Sequence, residues 1–163
     1  MNIQAQKEKH IMYKNGMPYK KLLLMIVTSF IFMYILMYAM VDKFSNVVPN
    51  VNQFYMAGLM TMPMLLIELI IMGGMYGNKK LNTGLIIAGL IGGFFFYVCI
   101  RQQAGVTDKP FLRSMIPHHA AAVLMVKKAS LKDPEIRALA NQIITSQEAE
   151  IQQMKAKLEA LKK

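Results

Sequence analysis

The sequence is poor in cysteine and in acidic side chains. It contains one cysteine, no tryptophan, and only 9 Asp and Glu residues beside 19 Lys and Arg residues in a chain of 163. A single cysteine, Cys99, excludes an intramolecular disulfide framework and a thiolate cage for a metal. We also find no carboxylate and histidine set like that of di-iron bundles, and no nucleophile paired with a base. We therefore expect no enzymatic activity.

Long apolar runs dominate the first two thirds of the chain. Three of them are nearly free of charge and long enough to cross a bilayer, which takes roughly 20 apolar residues in a helix. The first run begins well inside the chain and has no small-residue cleavage site ahead of Asp42 and Lys43, so it is expected to be an uncleaved anchor. The sequence predicts transmembrane helices at residues 22–41, 54–76 and 81–100.

Lysine placement predicts the orientation of these helices. The first loop contains only Lys43, whereas seven lysines precede the first helix or separate the second from the third: Lys7, Lys9, Lys14, Lys20, Lys21, Lys79 and Lys80. Basic residues in short loops stay in the cytoplasm. We expect a multi-pass protein of the plasma (inner) membrane, with residues 1–21 as a cytoplasmic tail and the C-terminal domain periplasmic or extracellular.

The formal charge of +10 does not by itself indicate nucleic-acid binding. The lysines are divided between the two sides of the membrane and have no aromatic stacking platform among them. Attraction to anionic lipid headgroups accounts more simply for the cytoplasmic lysines. We therefore expect the lipid bilayer as a partner, and no nucleic acid.

Small residues follow one face of the third predicted span. Gly84, Ala88 and Gly92 recur at four-residue spacing, with Gly89 and Gly93 beside them. Small residues at such positions let another helix backbone approach closely. The spacing predicts that the three membrane helices pack as a bundle.

A column of methionines with one carboxylate follows the second predicted span. Its members step by four residues and share one slowly drifting face: Met56, Met60, Met64, Glu68 and Met72. An ionisable residue near the middle of a span is costly and usually faces the bundle interior. Two interpretations stay open, a membrane relay for copper and a protonated carboxyl that is simply hydrogen-bonded to a neighbouring helix.

The last third of the chain predicts an antiparallel helical hairpin. After a linker at residues 101–107, amphipathic segments cover residues 108–130 and 134–161, and residues 130–133 form the turn. Asp133 can cap the second helix, Pro134 suits its first position, and Glu135 complements its dipole. A lone pair of helices cannot bury both apolar stripes. We expect a four-helix bundle formed by two chains.

Soft metal ligands interrupt the apolar stripe of the first hairpin helix. Met115, His118 and His119 occupy positions i, i+3 and i+4, and Met125 lies two turns after His118. Antiparallel pairing brings Met154 toward the same region. The spacing predicts that these side chains converge on one ion.

Ligand type predicts which ion this is. Thioether sulfur selects reduced copper and, by the same softness, silver, while imidazole also suits copper. The alternative is that Met115 and His119 are core residues, since methionine fills gaps and a buried histidine is often only hydrogen-bonded.

The hairpin resembles the family called domain of unknown function 305 over about residues 107–163. The residues that carry the resemblance are Met115-Ile116-Pro117-His118-His119, Ala122, Met125, Pro134-Glu135-Ile136, Ala140, Ile143, Gln147, Glu150-Ile151 and Met154. The resemblance implies a ferritin-like helical fold that binds copper. It implies Met115, the His118 and His119 pair, Met125 and Met154 as ligands. Gln147 and Glu150 match motif positions and are expected to support the ligands.

The leading hypothesis is a membrane-anchored copper or silver binding protein acting in extracytoplasmic sequestration, delivery or resistance. Cu(I) is the favoured ion, and a copper transporter or a metallochaperone is the expected partner besides a second copy of the chain. The alternative is a membrane-anchored structural or interaction module that dimerises through the hairpin without metal. In that case Gln147 and Glu150 fix the register of the helices.

Overall fold

The protein is all-helical in a computed structural model that describes the backbone of residues 3–161 and the side chains of residues 18–161. Short 3-10 turns lie in the first two connections, and no strand occurs within these residues. The α-helices of the described residues are α1 (Ile3–Leu36), α2 (Val51–Ile71), α3 (Lys79–Arg101), α4 (Asp108–Lys128) and α5 (Pro134–Ala160). The all-α prediction is confirmed.

Within residues 3–161, three helices are long and apolar enough to cross a membrane. The candidate spans are Pro18–Met40, Val51–Ile71 and Lys79–Arg101. Each overlaps a predicted span, and the largest difference is in α2, which begins at Val51 and ends at Ile71 instead of covering residues 54–76. The described part of the chain therefore has three candidate transmembrane helices, as expected for a membrane protein.

The first helix extends well beyond its apolar run. It begins at Ile3 and continues through Pro18, so most of the segment that was expected to be a tail is helical. Proline removes only one backbone donor, and a helix can continue past it with a local loss of hydrogen bonding. The side chains of Lys7, Lys9 and Lys14, which entered the orientation prediction, lie outside the described residues.

The chain divides into two compact units. The membrane unit contains the chain up to Tyr34 together with Tyr55–Gln102, and the hairpin unit contains Ile35–Phe54 together with the chain from Gln103 onward. Residues 35–54, here called the loop segment, thus belong with the last two helices although they lie between the first two spans in sequence.

Helices α2 and α3 approach closely inside the membrane unit, at one residue of the predicted stripe and at one residue beside it. A Cβ atom on Gly89 would lie 3.0 Å from Leu66, and one on Gly92 would lie 3.0 Å from the sulfur of Met62. Nothing lies within 4 Å of such an atom on Gly84. The close approach predicted from small residues is therefore found at Gly89 and Gly92, while Gly84 faces away from the described contacts.

The hairpin unit has its own apolar core between α4 and α5. Ile116, Ala120 and Val123 of α4 are fully buried against Ile151 of α5. Four partly buried side chains complete the cluster, and two of them come from the loop segment: Val41, Val48, Met154 and Leu158. The loop segment thus covers part of the α4 face that the sequence analysis assigned to a second chain.

Polar contacts also fasten the loop segment to α4. The side chain of Asn50 is buried, and its Oδ1 accepts hydrogen bonds from the backbone N–H of Gln53 at 2.9 Å and from the hydroxyl of Ser114 at 3.4 Å. The hydroxyl of Tyr38 donates to the carbonyl of Val48 at 3.0 Å. The burial of Asn50 costs little free energy because its polar atoms have hydrogen-bond partners.

The start of α5 agrees with its predicted capping. Oδ1 of Asp133 accepts hydrogen bonds from the backbone N–H groups of Glu135 at 2.8 Å and Ile136 at 3.0 Å, and Pro134 opens the helix. These bonds satisfy two of the amide groups that a helix start leaves unpaired. The predicted start of this helix is confirmed.

Candidate metal site

The predicted histidine and methionine residues of helix α4 lie on different faces of the helix, one buried and one exposed. Because successive residues turn by about 100°, the face that buries Ile116, Ala120 and Val123 also buries His119 and leaves His118 exposed. The helix continues without interruption through Pro117, which is itself buried. The two adjacent histidines therefore have different environments.

His119 is buried, with 7% of its surface exposed, and both of its ring nitrogens have partners. Nδ1 lies 3.0 Å from the backbone carbonyl of Met115, and Nε2 lies 2.7 Å from Oε2 of Glu150. A carbonyl and an ionised carboxylate only accept hydrogen bonds, so this arrangement needs a proton on each nitrogen. While both contacts persist, His119 has no lone pair for a metal, as the hydrogen-bonded core alternative describes.

Glu150 is held by two donors although its side chain is 48% exposed. The hydroxyl of Ser146 donates to Oε1 at 2.7 Å, and His119 occupies the other oxygen. The hydrogen bond from Ser146, followed by that from His119 and the charge of the imidazole, lowers the pKa of Glu150 below its usual value. Glu150 thus contacts a predicted ligand from α5.

His118 is the accessible imidazole of the pair. Its ring is exposed, its centroid lies 6.0 Å from that of His119, and its nitrogens have no hydrogen-bond partner in the part of the chain whose side chains are described. Met115 lies one turn earlier on the same helix and is half-buried. A neutral imidazole with a free nitrogen and a thioether at i, i+3 are neighbours on a helix surface and can bind one soft ion.

The other two predicted ligands lie in different surroundings. Met154 is half-buried and packs against the core cluster of α4 and α5. Met125 is 64% exposed, near the end of α4. Ten residues of continuous helix separate Met115 from Met125, which amounts to about 15 Å of rise. The expectation that both bind the same ion within one chain is therefore corrected, because their side chains cannot bridge that distance.

Gln147 provides an unusual acceptor on α5. Its Oε1 atom is buried and has no hydrogen-bond partner among the described residues. Leaving a buried acceptor unpaired costs about 1–3 kcal/mol. Gln147 lies three residues before Glu150, on the same face of the helix. A cation or a water molecule bound there would satisfy this atom.

The described residues contain no cluster of the kind that binds harder metal ions. Within them, no group of three or more His, Cys, Asp or Glu side chains is gathered closely enough to hold an ion. The predicted site differs in kind, since it depends on thioether sulfur as well as imidazole. Its donor chemistry fits a soft monovalent ion better than zinc or iron.

The methionine column of the membrane unit extends beyond the end of α2, contrary to its prediction. Helix α2 ends at Ile71, so Glu68 lies one turn from the helix end instead of near the middle of a span, and Met72 lies beyond the helix. The hydroxyl of Tyr76 donates to Oε1 of Glu68 at 2.9 Å. The partner of the carboxylate is therefore in the connection after α2, and not on a neighbouring helix.

Sequence reasoning missed a polar network around that carboxylate. The hydroxyl of Tyr19 on α1 donates to Oδ1 of Asn82 on α3 at 2.6 Å, and Nδ2 of Asn82 donates to the carbonyl of Tyr76 at 3.1 Å. Burial, with the hydrogen bond to Glu68 and the charge of that carboxylate, raises the pKa of Tyr76 to about 12. The sequence feature that could have indicated this network is the position of Tyr19, Tyr76 and Asn82 at the ends of apolar runs.

The fold and the site together define an all-helical protein that joins candidate transmembrane helices to a hairpin with His and Met residues. Residues 100–158 match the family model described as a domain of unknown function, number 305. An uncharacterised protein of Acanthamoeba polyphaga mimivirus is 38% identical over 144 residues, which are 86% of this chain and 93% of that protein. The chain belongs to the domain of unknown function 305 family.

The similarity to the viral protein is too long to be confined to the hairpin unit, so it includes membrane helices as well. No solved structure matches the chain.

Proposed function

We propose that this protein binds copper or silver ions at its hairpin unit, on the extracytoplasmic side of the plasma membrane, and sequesters them or hands them on. The observation that carries the proposal is the exposed His118 ring, free at both nitrogens within the described chain, one helical turn from the Met115 thioether. The ion is the cargo of the protein. The proposal involves no catalytic step.

The ligand set is proposed in two parts. Met115 and His118 bind the first ion from α4, and Met154 joins them from α5. Met125 lies about 15 Å along the helix from Met115 and serves a second ion. His119 becomes a ligand only if it leaves Glu150, so in the observed arrangement it positions α4 against α5.

The choice of metal rests on donor softness. Thioethers favour Cu(I) and Ag(I), and the absence of a carboxylate and imidazole cluster among the described residues gives harder ions little to bind. Cu(I) is the favoured ion in the cell. A copper transporter or metallochaperone that offers similar soft ligands is the proposed partner.

The proposed orientation places the N-terminus in the cytoplasm. Lys20, Lys21, Lys79 and Lys80 flank the cytoplasmic ends of the spans under the positive-inside rule. Three spans put the loop segment and the hairpin on the same side of the membrane, and their membership of one compact unit supports this arrangement.

A second copy of the chain is the proposed partner for the remaining apolar surface of the hairpin. Ile136 and Leu139 of α5 are apolar, and both are more than half exposed in the single chain. A dimer that completes a ferritin-like four-helix bundle would cover them.

Titration of the detergent-purified full-length protein tests the proposal. Cu(I) and Ag(I) are added in competition with a chromogenic chelator, and stoichiometry and affinity are compared between wild type and a Met115→Leu, His118→Ala double variant. The matched control is Met75→Leu, which removes an exposed thioether outside α4. We expect the double variant to lose at least tenfold in affinity for one ion. No binding by wild type, or equal binding by the double variant, would overturn the proposal.

The second candidate is a structural module that dimerises without metal. It is favoured by the double hydrogen bonding of His119, which describes a helix-pairing residue as well as it describes a ligand. Under this alternative His118→Ala leaves copper tolerance of cells unchanged, while the dimer persists in analytical ultracentrifugation. Loss of tolerance with an intact dimer would exclude it.

A further inference from the structure

A cavity of about 380 Å³ lies inside the hairpin unit, away from the His and Met residues of α4. The loop segment forms one wall of the cavity, and the middle of α5 forms the other. The lining residues that bear on its chemistry are Asp42, Lys43, Ser45, Glu148, Gln152 and Lys155. None of them is a predicted site residue, and Lys43 entered only the prediction of membrane orientation.

The two carboxylates that line the cavity already have partners. Oδ1 of Asp42 accepts a hydrogen bond from the side-chain amide of Asn46 at 2.6 Å. Glu148 forms an ion pair with Lys127 of α4 at 2.5 Å, which neutralises its charge. Asp42 is therefore the single carboxylate in the wall whose negative charge is not balanced by an ion pair among the described residues.

The two lysines that line the cavity have no such partner. Neither Lys43 nor Lys155 forms an ion pair in the part of the chain whose side chains are described. Lys43 is exposed and Lys155 is half-buried, on opposite walls of the cavity. The cavity wall therefore has two ammonium groups and one carboxylate without an ion-pair partner. This excess of positive charge favours the binding of an anion. Hydroxyl and amide groups of Ser45 and Gln152 add neutral hydrogen-bond donors.

We propose that this cavity binds a phosphate group, with Lys43 and Lys155 as its charged contacts. Lysine is a common phosphate ligand, and charge-assisted hydrogen bonds are roughly twice as strong as neutral ones. The volume lies near the lower end of the range of small-molecule pockets, about 300–1,000 Å³, and suits a phosphate with the first atoms of its ester. It is too small for a nucleic acid chain or for a folded partner.

A phospholipid headgroup is one source of this chemistry, and free phosphate is the other. Lys43 lies three residues after Met40, the end of the first candidate span. Three extended residues reach at most about 10 Å. The polar headgroup layers add about 5–8 Å on each side of the hydrocarbon core, so chain continuity alone keeps Lys43 near that layer. None of the lining residues is a proposed copper ligand, although Met154 directly precedes Lys155 on α5.

The test uses the detergent-purified full-length protein and three probes: short-chain phosphatidylglycerol, short-chain phosphatidylcholine and inorganic phosphate. Bound lipid is counted by native mass spectrometry, and affinities are measured by calorimetry at constant ionic strength. The test variant is Lys43→Gln, Lys155→Gln. The matched control is Lys128→Gln, Lys132→Gln, which removes the same charge from exposed lysines near the turn of the hairpin.

We expect the cavity variant to lose at least tenfold in affinity for phosphatidylglycerol, with a change of less than about twofold in the control, since screened surface charges contribute little. Competition by inorganic phosphate would assign recognition to the phosphate group itself. Binding of the lipids without such competition would assign it to the headgroup ester. Either result supports the proposal.

A Lys43→Arg, Lys155→Arg variant keeps the charge and is expected to keep binding, which separates recognition from misfolding. Equal losses in the cavity variant and the control would overturn the proposal, because they would show a general charge effect. Binding that is unchanged in the cavity variant, or no binding of any probe by wild type, would overturn it as well.

Discussion

Nε2 of His119 on α4 lies 2.7 Å from the carboxylate of Glu150 on α5, so these two residues join the helices of the hairpin. The other ring nitrogen of His119 faces the carbonyl of Met115 at 3.0 Å, and Ser146 donates to the second oxygen of Glu150. His119 is thus held from both sides inside the hairpin core. Its neighbour His118 is exposed and has no hydrogen-bond partner among the described side chains.

The stability of the hairpin is expected to fall in acid because of Glu150. Its pKa in the folded protein is lower than its ordinary value of 4.5. The unfolded chain therefore binds more protons in this range, so the stabilisation is present above about pH 4.5 and is lost as the pH falls through the lower folded-state value. Far-UV circular dichroism during urea unfolding, at several values between about pH 3 and pH 7, measures the effect.

The matched comparison for this pH dependence is Glu150→Gln against Glu135→Gln, which changes a carboxylate in the first turn of the same helix. Glu150→Gln should flatten the acid part of the stability profile, while Glu135→Gln retains the steeper slope of wild type between the two pKa values of Glu150. A profile for Glu150→Gln that parallels wild type would show that the hydrogen bonds of Glu150 with Ser146 and His119 do not persist in solution.

Met125→Leu is expected to leave the affinity for the first copper ion unchanged. Continuous helix separates Met125 from Met115 by about 15 Å, so the two sulfur atoms cannot share an ion within one chain. Met115→Leu should lower the affinity for that first ion by about tenfold or more, which corresponds to a loss of roughly 1.4 kcal/mol of binding energy. Competition titrations with Cu(I) compare the two variants. Equal weakening by both would require a site built from two chains or a broken α4.

Ile116→Ala is expected to destabilise the hairpin unit by about 2–5 kcal/mol. Ile116 is fully buried in the cluster that joins α4, α5 and the loop segment, and truncating it removes apolar contacts and leaves a cavity. Leu139→Ala is the matched control, since Leu139 is more than half exposed and its truncation should cost less than about 0.5 kcal/mol in a monomer. Thermal unfolding in detergent measures both variants.

A large effect of Leu139→Ala, comparable with that of Ile116→Ala, would contradict the single-chain packing described for α5. It would indicate that Leu139 is buried by a second copy of the chain. A small effect of Ile116→Ala would mean that the loop segment does not form a tight core with α4.

Glu68→Gln and Tyr76→Phe are expected to destabilise the membrane unit by similar amounts, about 0.5–1.5 kcal/mol each, because each weakens the same hydrogen bond. The double variant should be less destabilised than the sum of the two, as residues in direct contact are coupled. Thermal unfolding of the purified variants gives the cycle. Additive effects would show that the bond contributes nothing.

The relay hypothesis for Glu68 has a separate readout in cells. Copper accumulation that changes with Glu68→Gln but not with Tyr76→Phe would assign the carboxylate a role in ion movement. Unchanged accumulation in both variants would leave the structural role of the hydrogen bond as its function.

Local sequence patterns were sufficient for the helices themselves. Three uncharged apolar runs predicted the candidate spans, and Asp133 with Pro134 predicted the start of α5, because hydrophobic periods and caps act within a few turns of one helix. The resemblance to the family likewise depended on short motifs around His118 and Glu150. What these patterns left open was the rotation of each helix relative to its neighbours.

Only the tertiary structure decided which partners the buried histidine has. Helical periodicity places His119 on the apolar face of α4 and His118 at its edge, and the packing of α5 brings Glu150 to the ring of His119. Val41 and Val48 cover α4 from a segment about 70 residues earlier in the chain, and no local period encodes that contact. Tyr76, the partner of Glu68, likewise lies outside α2, because that helix ends at Ile71 instead of at residue 76. The sequence alone determined the helices and the residue types that they carry, whereas long-range packing determined the partners of those residues, because contacts depend on surfaces brought together by the whole chain.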